Sequence, residues 1–80
     1  MKLEVRLFAS LREEVGRETV EVELGNPATV AGLLQAFSAA YPKARSVEQA
    51  LVAVNQEIAD RETPLGEQDE IALLPPVSGG

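Results

Sequence analysis

Lys2-Leu3-Glu4-Val5-Arg6-Leu7-Phe8 is the stretch on which the fold turns. Leu3, Val5 and Leu7 alternate with Lys2, Glu4 and Arg6, the period of a strand with one buried and one wet face. Phe8 breaks the alternation, because an aromatic ring falls on the polar side. Just beyond it, Ser10-Leu11-Arg12-Glu13 has the Ser-x-x-Glu form of a helix capping box, and Gly16 is placed to close a short helical turn. Val20, Val22 and Leu24 then alternate with Glu21 and Glu23, which predicts a second strand stopped by Gly25-Asn26-Pro27.

The following segment changes period. Thr29 stands where an N-cap belongs, and Val30, Leu33, Leu34, Phe37 and Tyr41 follow at three- and four-residue spacing, so one helical stripe is apolar. Pro42 ends that helix, since the residue before a proline resists the helical conformation. After a polar stretch, Leu51-Val52-Ala53-Val54-Asn55 reads as a third strand and Asn55-Gln56-Glu57 as a turn. Ile58 opens a short fourth strand, and Ile71-Ala72-Leu73-Leu74 is a last strand closed by Pro75-Pro76. This order predicts an α+β fold in which one main helix covers one face of a small sheet and leaves the other at least partly open. With Leu3, Val5, Leu7, Ile71 and Leu73 toward the helix, the period of two turns Phe8 and Leu74 outward. Isolated surface apolar residues are ordinary, but two near the end of the chain on one face read as a docking patch.

Eighty residues make one domain. A chain of that size buries only about 60% of the surface its unfolded form exposes, so work done on a surface or at an end is favoured over a deep pocket. A net charge of −6 argues against nucleic acid, and it serves solubility or a partner with a basic surface. The absence of cysteine excludes disulfides and Cys-ligated metal and fits a reducing compartment. The start of the chain has no signal-peptide core, and no apolar run approaches the roughly 20 residues of a membrane span. A cytoplasmic location is expected, without nucleic acid or membrane as partner. Glu13-Glu14 and Asp69-Glu70 imitate acid/base pairs, but with no pocket to shift their pKa values they read as solvated faces.

Neither cysteine nor histidine is present, so the usual nucleophiles and bases of group-transfer chemistry are missing. The best reactive group left is the carboxylate of Gly80. Two terminal glycines arise by chance in roughly one chain in 200, and their context adds to the signal. Pro75-Pro76 fixes two φ angles, Val77 and Ser78 continue the segment, and Gly79 and Gly80 remove every β-carbon from its tip. Residues 1–74 are therefore read as the folded domain and 75–80 as an extended tail, able to reach about 20 Å into a narrow channel of another protein. A terminal carboxylate, with a reference pKa of about 3.3–3.7, is an anion and a poor electrophile near neutral pH. ATP can activate it as an acyl-adenylate. A sulfur donor displacing AMP then leaves a thiocarboxylate, whereas an attacking amine gives an isopeptide. In either case the chain is consumed and regenerated, its partners carry the catalytic groups, and the residues alone choose neither route.

Leu7-Phe8-Ala9, Leu11-Arg12-Glu13, Ala53-Val54-Asn55, Asp69-Glu70-Ile71-Ala72 and above all Pro75-Pro76-Val77-Ser78-Gly79-Gly80 resemble the MoaD family. That family is the small, sulfur-carrying subunit of molybdopterin synthase, and the resemblance runs the length of the chain. It implies a ubiquitin-like β-grasp fold with a mixed sheet on one main helix. It also implies that a MoeB-like enzyme uses ATP to adenylate Gly80, that a sulfur relay makes the thiocarboxylate, and that no cofactor is otherwise bound. The tail would then enter a MoaE-like large subunit carrying the catalytic residues, in a heterotetramer of two small and two large subunits, and give sulfur to cyclic pyranopterin monophosphate. Phe8 and Leu74, with Ile58 as a third member, match positions that pack on the large subunit. Arg12 and Glu13 match the family's Arg-Glu pair, here read first as part of the capping box. Where many members have Asp-Gly-Asp-Glu, this chain has Glu67-Gln68-Asp69-Glu70, so a turn of another shape, using Gly66, is expected. Carriers for the thiazole of thiamine share the fold and the Gly-Gly end, but Pro75-Pro76 and the Leu-Phe-Ala start favour the molybdopterin reading. A ubiquitin-like modifier or a plain binding module is the remaining alternative.

Overall fold

The strands β1 (Lys2–Leu7) and β7 (Ile71–Leu74) lie parallel near the middle of a five-stranded sheet of order β2-β1-β7-β4-β5. The computed structural model describes residues 1–75. β2 (Thr19–Glu23), β4 (Leu51–Val54) and β5 (Glu57–Ala59) join antiparallel to their neighbours, so the sheet is mixed. Helix α2 (Val30–Ala40) lies on one face, in the ubiquitin-like β-grasp arrangement. Leu3, Val5 and Leu7 of β1, Val20 and Val22 of β2, Val52 of β4, and Ile71 and Leu73 of β7 are buried there with Val30, Leu33 and Phe37. Tyr41, just past the helix, sets its ring centroid 5.1 Å from that of Phe37. No helix among the described residues is long and apolar enough to cross a membrane.

Both ends of α2 follow local chemistry. Thr29 is extended, and its Oγ1 accepts the Gly32 N–H at 3.2 Å, which satisfies one orphan donor of the first turn. The N–H groups of Val30 and Ala31 donate to the carbonyls of Thr63 and Arg61, each at 3.0 Å. The loop that supplies those carbonyls is held by a two-stranded pair, β3 (Ala28–Thr29) with β6 (Pro64–Leu65). At the other end the Tyr41 N–H closes on the Phe37 carbonyl, and Pro42 stops the helix.

Helix α1 (Ala9–Val15) begins earlier than the capping-box reading expects, and that reading is corrected here. Its N-cap is Phe8, without a side-chain bond, and Ser10 lies inside the helix. Strand β1 runs through Leu7, and Leu11 is fully buried, so one residue must turn the chain between them. Ala9 does this at φ +50°, a left-handed conformation that a β-carbon makes costly. Ser10 is thereby carried past the extended geometry an N-cap needs. Gly16 ends α1 at φ +83°, as expected of a left-handed C-cap.

The polar stretch after Pro42 contains a 3₁₀ helix (Arg45–Gln49). The Glu14 carboxylate accepts the Ser46 N–H at 3.1 Å and its hydroxyl at 2.8 Å, so the side chain that imitates a catalytic acid instead ties α1 to this helix.

Candidate functional site

The sheet face turned away from α2 is graded from apolar to acidic. β1 and β7 pair Leu7 with Leu73, and one residue further Phe8 stands beside Leu74, which pairs with Leu51 of β4. The next row across the face is Thr19, Arg6, Ala72, Ala53 and Ile58, and the row after it sets Glu21, Glu4 and Glu70 side by side. Phe8, Leu51 and Ile58 are 39%, 38% and 61% exposed, while Leu74 is half-buried between its neighbours. Ala53 and Ala72 add no bulk between Ile58 and the rest, so the four large side chains border one low apolar surface. Leu74 is followed directly by Pro75, so that surface lies at the end of the described residues.

Of the residues singled out from sequence, Phe8, Leu74 and Ile58 meet on this face, with Pro75 beside them. Pro76, Val77, Ser78, Gly79 and Gly80 lie outside the described residues. Leu51 belongs to the same surface and was not singled out. Its signal was available, because the period of two that buries Val52 turns Leu51 outward. Arg12 and Glu13 form no pair: the Arg12 guanidinium stands 3.9 Å from Glu18 in a solvent-exposed contact.

The opposite end of β7 is braced by side chains. Asn55 and Gln56 have φ of +53° and +71°, so the β4–β5 hairpin closes on two left-handed residues, a type I′ turn. Asn55 donates from Nδ2 to Asp69 Oδ1 at 3.0 Å and accepts the Glu70 N–H on Oδ1 at 2.9 Å. Its own N–H donates to the Glu70 carbonyl at 2.7 Å. The other carboxylate oxygen of Asp69 accepts the Gly66 N–H at 2.8 Å, and the Asp69 N–H returns to the Gly66 carbonyl at 3.1 Å. Gly66 therefore opens a four-residue turn in which neither Glu67 nor Gln68 takes a positive φ, so no glycine is needed at position 68. The Gly66 N–H, then the Asn55 amide, hold the Asp69 carboxyl below the usual carboxylate range. Two of the motifs quoted from sequence, around Asn55 and around Asp69-Glu70, are thus the two halves of one clamp.

Residues 5–80 match the model of the ThiS family. The molybdopterin synthase sulfur carrier subunit of Escherichia coli K12 is 40% identical to the chain, over 98% of the chain and 99% of that protein. The crystal structure of Haloferax volcanii small archaeal modifier protein 1 matches with a TM-score of 0.84 at 34% identity, covering 95% of this chain and 98% of that one. A chain from the complex of subunits 1 and 2 of the molybdopterin-converting factor of Helicobacter pylori matches over the full length of both, with a TM-score of 0.59 and 28% identity.

Proposed function

The chain belongs to the ThiS family, and from that premise we propose that it is the sulfur carrier of a molybdopterin synthase, reacting through the carboxylate of Gly80. One observation carries the reading beyond similarity: the apolar surface of Phe8, Leu51, Leu74 and Ile58 adjoins Pro75, the first residue of the proposed tail. A partner seated on that surface receives the tail from a fixed origin. Docking energy gained on the sheet then positions a reactive group that itself makes few contacts.

In this reading a carboxylate oxygen of Gly80 attacks the α-phosphorus of ATP on a MoeB-like enzyme, and pyrophosphate leaves. A sulfur nucleophile adds to the acyl carbon, AMP departs, and the carbon keeps one oxygen and one sulfur. The thiocarboxylate sulfur then attacks cyclic pyranopterin monophosphate in a MoaE-like subunit, and water releases the carrier as its carboxylate. Two transfers supply the two dithiolene sulfurs. The chain contributes a docking face, a stiff base at Pro75-Pro76 and an unhindered acyl carbon, while two copies at opposite ends of a large-subunit dimer complete the assembly.

Intact mass after incubation with the activating enzyme, ATP and a sulfur source tests the reading. The expected gain is one exchange of oxygen for sulfur at Gly80, absent from a variant that lacks this glycine. An unchanged mass, under conditions that convert a known carrier, refutes it. The match to a small archaeal modifier favours a second reading, in which Gly80 is joined to lysines of other proteins. Conjugates on a blot, abolished by deleting Gly80, would identify that use. Complementation of strains lacking either carrier separates molybdopterin from thiazole synthesis.

A further inference from the structure

β2 is the outermost strand, bonded to β1 on one side only. The Leu7 N–H donates to the Glu18 carbonyl and the Leu24 N–H to the Met1 carbonyl, each at 2.8 Å. Antiparallel pairs alternate between bonded and non-bonded, so the bonded β2 residues are Glu18, Val20, Val22 and Leu24. The backbone N–H and C=O groups of Thr19, Glu21 and Glu23 consequently point away from the sheet, and none has a protein partner among the described residues.

The side chains along this edge define what fits it. Val20 and Val22 point into the core beside α2, and Glu21 and Glu23 stand exposed on the open face. Glu23 pairs across the ladder with Lys2, but Glu21 pairs with Glu4, and Glu4 stands beside Glu70. Like charges directly opposite are destabilising, and the described side chains place no cation within ion-pair distance of Glu21. A depression of about 400 Å³ wraps this edge, lined by Glu4, Arg17, Thr19, Val20, Glu21 and Tyr41. Self-pairing in the antiparallel register of fullest overlap is opposed, because it sets Glu21 against Glu21.

We propose that the free edge of β2 is a docking site for an extended segment of another protein in which Lys or Arg alternates with apolar residues. The basic residues lie opposite Glu21 and Glu23 and exchange backbone bonds with them. The apolar residues between point to the α2 side, over the flank of Val20 and Val22 and toward Tyr41. β1 separates this edge from Leu74 and Leu51, whereas Phe8, which follows β1, shares a depression with Glu18 and Thr19 at one end of the edge.

The test is an NMR titration of the full isotope-labelled chain with the blocked peptide Lys-Val-Lys-Val-Lys. Binding should move and protect the amides of Thr19, Glu21 and Glu23, weaken with ionic strength, and vanish for Glu-Val-Glu-Val-Glu. Methylating the backbone nitrogen of the central lysine keeps every charge but removes a donor, and should weaken binding at least about tenfold. Glu21→Pro removes the outward N–H together with the carboxylate, leaves the β1 ladder bonds in place and should weaken binding at least as much; if it fails to fold, the methylated peptide still decides. Equal binding by the methylated peptide would reduce the effect to charge attraction and overturn the proposal. So would perturbations confined to Phe8, Leu51 and Leu74, or pairing of two copies of the chain through β2 in sedimentation.

Discussion

Replacing Asn55 with alanine removes the brace between the β4–β5 hairpin and the start of β7. Two side-chain hydrogen bonds are lost, one to Asp69 and one from the Glu70 N–H, at 3.0 and 2.9 Å. Both are exposed, so each is taken near 0.5–1 kcal/mol, the low side of the usual range. Alanine must also hold the φ of +53°, which asparagine tolerates better, for about 1 kcal/mol more. The expected loss is about 2–3 kcal/mol. With a urea slope near 1 kcal/mol per molar for a chain this small, the midpoint should fall by about 2–3 M. Asn55→Gly loses the same bonds but escapes the left-handed penalty, and should be about 0.5–1 kcal/mol more stable than the alanine variant despite the entropy of glycine. Amide exchange at Glu70 should accelerate in both variants. An alanine variant within about 0.5 kcal/mol of the parent would refute the reasoning, because neither the clamp nor the strained turn would then contribute as argued.

Asp69 makes this stability pH-dependent. Its folded pKa is depressed, so the contribution is present above the unfolded value of about 3.9 and is lost as pH falls through the folded value. Urea midpoints of the parent should therefore drop more on acidification than those of Asp69→Asn, and parallel curves would refute the assignment. On the docking face, Ile58 is 61% exposed, so about 1–2 kcal/mol of its burial remains for a partner. Ile58→Asp also places a carboxylate among Leu51, Leu74 and Phe8, and should weaken binding to a MoaE-like subunit at least about 30-fold by calorimetry while leaving thermal unfolding unchanged. Undiminished affinity would put the interface elsewhere.

Sequence alone was enough for features whose cause is local. The alternation through β1, β2 and β7 and the stripe of α2 are periodicities of neighbouring residues, and Thr29, Pro42 and Gly16 act on the turn in which they sit. The outward turn of Phe8 and Leu74 follows from the same counting. Tertiary structure decided the rest. Ser10-Leu11-Arg12-Glu13 satisfies a capping box on paper, yet the burial of Leu11 and the length of β1 move the helix start to Ala9 and override it. β3 and β6 are two residues each, too short for any period, and exist because each supplies the other's bonds. The 3₁₀ helix is bonded to Glu14, 32 residues before Ser46. Leu51 joins Leu74 and Phe8 only through strand register, as Asn55 joins Asp69 and Glu70 across a hairpin and a loop. A pattern of adjacent side chains states which way each residue faces, but which distant residues share a surface depends on pairings that form only when the whole sheet closes over its core.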